Sequence, residues 1–218
     1  MGLTRWAERP LRPRALLLEV AAALLVLVVG FYSTVRPVDV LASGGSDVTI
    51  YESYGAKVRA GAAPYRDFWM EYPPGAALIF VVPSLVGREG NPADEASWSP
   101  PNTAARRYYR SFTMLVLLLL AAIVILTAIT LQRLRRSARE VLLSLAVVAT
   151  SPLLLGRLVP ERFDAWPAAL TAAALTASVQ GWYRVGGVML GFGAATKIYP
   201  ALLVPVLVVV VARHAWRP

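Results

Sequence analysis

Residues 112–131 carry no charged side chain, and Arg133, Arg135, Arg136 and Arg139 follow at once, with Glu140 the one acid among them. An apolar run of about 20 residues, wound as an α-helix, matches the hydrocarbon core of a bilayer. A second such run, 15–32, follows Arg5, Arg9, Arg12 and Arg14. It reads as a first spanning helix and not a signal peptide, because no small-residue cleavage site follows closely and further apolar runs come later. Within hydrocarbon each backbone N–H and C=O must find a partner inside the chain, which favours helices. The expected fold class is therefore all-α: a polytopic integral membrane protein. Only 16% of residues are charged, against about 25% in soluble domains. The net charge of +9 then sits mostly at the ends of apolar runs, where it signals topology and not nucleic-acid binding.

Short loops rich in Lys and Arg stay cytoplasmic. If 1–14 and 133–140 are both inside, an even number of crossings separates them. Spans at 15–32 and 112–131 supply two, so the apolar run 75–86, too short to cross, is read as re-entrant or interfacial. Residues 33–110 then form one long extracytoplasmic loop, with an amphipathic helix over 47–60. Further crossings are expected at 141–158 (interrupted by Ser151-Pro152), 166–183, 186–196 and 198–212. That makes about six spans in one membrane domain, with a cytoplasmic N-terminus and a plasma-membrane location.

The polar stretch 47–74 holds four of the nine tyrosines and four of the thirteen acids, directly beside a spanning helix. Such a passage suits a site at the membrane surface. Ser46 is a plausible N-cap for the helix, and Asp47, Tyr51 and Tyr54 share its face at helical spacing. Asp67 and Glu71 flank an aromatic belt, 65–72, that ends at Tyr72. Asp164 lies in a second external loop, and Lys197 interrupts two apolar runs. A carboxylate can take a proton from a hydroxyl, and a cation can neutralise charge growing on a phosphate. Tyrosines and Trp69 offer faces on which sugars stack. Each residue also has a plainer reading: Asp47 as a helix cap, Asp164 as a helix-start acid, Asp67 and Glu71 as solvated charges near Arg66, Lys197 as a snorkelling side chain.

The chain has no cysteine and one histidine, His214, which disfavours thiol chemistry and a His-based metal site. No cofactor is expected, and a requirement for a divalent metal stays open. The string GFGAAT, at 191–196, lies in an apolar segment without a preceding soluble strand, so it reads as helix packing and not as nucleotide binding.

Three stretches resemble one family. DVTIYESYGAKVRAGAAPYRDFWMEYPPGAALIF is similar to the first external loop of GT-C membrane glycosyltransferases, and especially of glycosyltransferase family 87, the polyprenyl-phosphate-mannose-dependent mannosyltransferases. ERFDAWPAALTAAAL resembles that family's R-[FY]-D-A loop, and GFGAATKIYPALLVP its G-x-x-x-x-K-x-x-P segment. The resemblance implies a GT-C-like fold that moves a hexose, mannose, from a polyprenyl phosphate to an extracytoplasmic glycan or glycolipid acceptor. By motif position Asp47 is the catalytic acid, Asp164 helps place substrate and Lys197 contacts the donor phosphate. Members of the family run to about twice this length, so the chain is expected to be an incomplete product or half of a split enzyme. A partner chain would then supply the missing C-terminal helices. Two alternatives stand beside this reading: a non-catalytic fragment or lipid-binding accessory subunit, and a small transporter. Charges at segment ends, and not at mid-membrane, disfavour the last.

Overall fold

The structure, a computed structural model, describes residues 12–35, 46–86 and 103–215. Among them the chain is all helix, with no strand. The helices are α1 (Pro13–Thr34), α2 (Asp47–Arg59), α3 (Ala76–Val86), α4 (Thr103–Arg133), α5 (Ala138–Leu155), α6 (Leu158–Glu161), α7 (Ala165–Val179) and α8 (Tyr183–Thr196). A 3₁₀ turn, Tyr199–Leu203, then leads into α9 (Val204–Ala215). Most of the arginine-rich N-terminus, the connector 36–45, the polar stretch 87–102 and the side chain of His214 lie outside the described residues.

By length and composition α1, α5 and the stretch Ala105–Arg133 of α4 can cross a membrane. Their outer faces show what covers them: Leu18 is 73% exposed, Leu118 60%, Val147 68% and Leu154 76%. So large an apolar surface on an integral membrane protein is covered by lipid tails. Inward, Leu27 and Phe31 of α1 join Val116 and Val124 of α4 and Leu145 and Ala149 of α5 in one core. The alanine-rich α7 lies on α4, where small residues let backbones approach. There the Thr130 and Thr176 hydroxyls share a 2.8 Å hydrogen bond, and Thr176 reaches the Leu126 carbonyl at 3.2 Å.

Several boundaries differ from expectation. The helix expected over 166–183 stops at Val179, and the one expected at 198 begins at Val204 after a 3₁₀ turn. Three other differences have a visible physical cause. Helix α4 starts at Thr103 and not near 112, because its extra turns carry Tyr108 and Tyr109, both buried, and the Tyr108 hydroxyl donates to the Phe80 carbonyl of α3. Helix α5 starts at Ala138, where Ser137 and Glu140 form a reciprocal cap. It also runs through Pro152 without a break. Proline lacks the N–H that would bond Val148, and the Ser151 hydroxyl donates to that carbonyl instead, at 2.7 Å.

Helix α3 has 11 residues, about 16 Å at 1.5 Å per residue, roughly half the hydrocarbon thickness. It packs on α2 and α4. The crossing with α2 is close: a Cβ at Gly55 would sit 2.3 Å from the Phe80 carbonyl oxygen. Backbone cannot move aside as a side-chain tip can. Gly55→Ala is therefore expected to destabilise the protein by about 1–3 kcal/mol, read as a lower unfolding midpoint in detergent. An unchanged midpoint would show that α2 is free to shift on α3.

Candidate active site

Helix α2 is capped by Ser46, whose hydroxyl accepts from Val48 N–H at 3.3 Å. Asp47 is therefore the first helical residue and is not the cap. Its Oδ2 lies 2.5 Å from Arg162 Nη1 and accepts from the Tyr51 hydroxyl at 3.3 Å. Negative charge also suits the first turn, where free N–H groups face out.

The loop 162–164, Arg-Phe-Asp, is the hub. Arg162 reaches Asp47 on one side, and Asp164 pairs with Lys197 on the other. Between them Phe163 is 1% exposed. Its ring meets Tyr72 at 4.9 Å, Phe80 at 5.2 Å and Tyr51 at 5.5 Å, all close to edge-on, and Lys197 Nζ lies 4.8 Å above it. A buried ring flanked by two partly exposed charges thus fixes both ion pairs to one aromatic core. Asp164 occupies the N-cap position of α7 but makes no side-chain cap bond; its carboxylate goes to Lys197 instead.

Lys197 is placed by the end of α8. The chain leaves the helix there in an extended conformation, with Lys197 N–H still bonded to the Gly193 carbonyl. The corner after Pro73-Pro74 docks on this end, with Gly75 N–H donating to the Ala195 carbonyl at 2.9 Å. A Cβ at Gly75 would lie 2.6 Å from that oxygen, so only glycine permits the approach. The segment between α2 and α3 and the lysine break are joined by this contact.

Of the tyrosines, Tyr51 is wholly buried and stacks on Phe80 at 4.6 Å. Both ring faces are covered, so what it offers a site is its hydroxyl and not a stacking surface. Burial first, then Tyr72 and the charge on Asp47, push its phenol far above the usual tyrosine range. Burial raises Tyr72 as well. Both therefore stay protonated at neutral pH, and Tyr51 can donate to Asp47. Tyr54 packs on Phe68, Tyr72 and Phe80. The exposed rings of the belt are Tyr65 and Trp69, Trp69 the more so at 77%.

Asp67 is not brought to Asp47. It binds Arg66 at 2.8 Å and takes the Ala63 N–H at 2.7 Å, closing the turn before the aromatic belt. Arg66, and then that N–H, hold its carboxyl below the usual range. Glu71 points to solvent beside Tyr72. Sequence reasoning had not singled out Arg162 and Phe163. The signal was their place beside Asp164: a lone aromatic between two charges in a short loop is the pattern of a buried anchor.

Beside the hub a cavity of about 410 Å³ opens between α4, α5, α6 and α7, with Arg162 and Asp164 among its lining residues. No group of three or more His, Asp or Glu side chains suited to a metal gathers among the described residues. The arrangement offers two carboxylates, each at a helix start, two cations paired with them, and an apolar cavity alongside. The model of glycosyltransferase family 87 matches residues 69–218, which include the hub and Lys197 and begin after Asp47. No curated protein and no solved structure matches the chain.

Proposed function

The chain belongs to glycosyltransferase family 87, a family of membrane glycosyltransferases, and from that premise we propose that it moves mannose from a polyprenyl phosphate to an extracytoplasmic acceptor. The reaction is a single inverting displacement. Asp47 takes the proton of the acceptor hydroxyl, whose oxygen attacks the anomeric carbon. The bond from that carbon to the phosphate oxygen breaks, and the lipid phosphate leaves with the electron pair toward Lys197 or the loop arginine. Asp164 helps to place substrate by holding Lys197, Tyr72 lies beside the hub, and Trp69, Asp67 and Glu71 on the same loop contact the sugars.

The observation that carries this reading is the hub, where one loop joins the carboxylate of Asp47 to the lysine at the break after α8. The test is transfer of labelled mannose from a polyprenyl-phosphate donor by the purified chain, alone or with a partner that supplies further helices. Transfer from a nucleotide sugar and not from the lipid donor would overturn it.

A site at the outer face of the plasma membrane fits the geometry of α4. Phe112 touches the aromatic core, and Arg133 ends the helix, roughly 30 Å further along at 1.5 Å per residue. That is about one hydrocarbon thickness, so the site and the arginine turn face opposite aqueous phases. The native chain has no cysteine, which makes single labels readable. A cysteine in place of Arg66 is expected to react with an impermeant thiol reagent added outside. One in place of Arg135 is expected to react only after the membrane is opened, and the reverse pattern would invert the orientation.

A further inference from the structure

We propose that Arg162 serves two partners in turn: Asp47 in the empty protein, and the phosphate of a lipid whose polyprenyl tail lies in the cavity between α4, α5, α6 and α7. This rests on the lipid-linked donor proposed above. The cavity wall is mainly apolar, with Leu120, Ile123, Leu155 and Leu158 among its residues, and Arg162 and Asp164 are the charges on it. Asp164 is held by Lys197, so the guanidinium is the lining group that fits an anion. An isoprenoid tail and a phosphate head match that combination of an apolar body and a cationic edge.

The pair with Asp47 has consequences for the base. Oδ2 receives Arg162 and Tyr51, and two donors fill the lone pairs of one carboxylate oxygen. That oxygen takes the acceptor's proton only after a donor leaves. Arg162 is the one able to move, since it is 45% exposed whereas Tyr51 is fixed in the core. The donor phosphate, a diester, carries one negative charge and gains a second as its sugar departs. Asp47 meanwhile loses its charge by accepting the proton. Arg162, set between them, stays beside the negative charge as it crosses the site, and its planar fork can take two phosphate oxygens at once. Drawing Arg162 to the phosphate thus releases Oδ2 of Asp47 to the acceptor.

The test is calorimetric titration of the full chain in detergent with farnesyl phosphate, and with farnesol as the uncharged control. Unfolding midpoints serve as the folding check. Arg162→Gln is expected to weaken farnesyl phosphate at least about tenfold, the worth of a charge-assisted hydrogen bond, and to leave farnesol unchanged. Asp47→Asn removes the competing carboxylate and is expected to tighten farnesyl phosphate by up to about tenfold. Ala168→Trp, filling the cavity, should weaken both ligands. If Arg162→Gln fails to fold, the opposite sign expected of Asp47→Asn still decides. Farnesyl phosphate affinity that stays constant or falls in Asp47→Asn would make Arg162 a structural tie only, with the donor reading intact. Failure of farnesyl phosphate to bind the unaltered chain would overturn the donor reading, and this inference with it.

Discussion

Asp47→Asn is expected to cut sugar transfer at least about 100-fold, the lower end of what a positioned base contributes, while the protein inserts and unfolds almost as before. The change keeps the side chain's size and removes its ability to take a proton. It leaves the helix start intact, because the cap is Ser46. What is lost structurally is the pair with Arg162, and an ion pair this exposed contributes about 0–1 kcal/mol. Catalytic and structural roles therefore separate cleanly: transfer rate falls by orders of magnitude and the unfolding midpoint moves little. Asp67→Asn and Glu71→Gln should cost much less. Asp67 is engaged in its own turn with Arg66 and the Ala63 N–H, and Glu71 is exposed. Near-normal turnover in Asp47→Asn would return that residue to a structural role.

Phe163→Ala is expected to be the most destabilising change at the hub, by about 3–5 kcal/mol. Its ring is fully buried and touches side chains from α2, from α3 and from the loop before α3. Truncation leaves a cavity where rings from three segments converge, and rigid rings held by their own segments collapse into it poorly. Net stabilities are only about 5–15 kcal/mol, so a large drop in the unfolding midpoint should be seen. Phe163→Leu keeps most of the volume and should cost under about 1.5 kcal/mol, but it removes the ring beneath Lys197. A Phe163→Leu protein that folds normally yet binds farnesyl phosphate less well would show that the ring also orients the cations. An Ala variant with unchanged stability would mean that the hub is held by its ion pairs and not by the aromatic core.

The two predictions rest on features that were unequally visible in the sequence. The run 112–131 announced a membrane helix because transfer to lipid is a property of each residue, and it adds up along the chain wherever the helix packs. The start of α2 was legible for the same local reason: Ser46 followed by Asp47 and a helical spacing of aromatics is a complete signal within a few residues. Boundaries failed where a distant partner extended a helix, or where a side chain replaced a missing backbone donor. Helix α4 gains turns because Tyr108 and Tyr109 bury themselves, Tyr108 against α3, and α5 keeps its course through Pro152 because Ser151 supplies a donor.

By itself, then, the sequence determined the all-helical membrane class, the apolar runs and which polar residues lie beside them. Only the tertiary structure decided how those residues pair. It joined Asp47 to Arg162 and Asp164 to Lys197, and it closed the rings of Tyr51 and Tyr54 to any sugar. The physical reason is range. Burial and capping are set by neighbours along the chain, whereas an ion pair needs its two charges within about 4 Å, and that distance is fixed by helix packing and by backbone contacts such as Gly75 on Ala195.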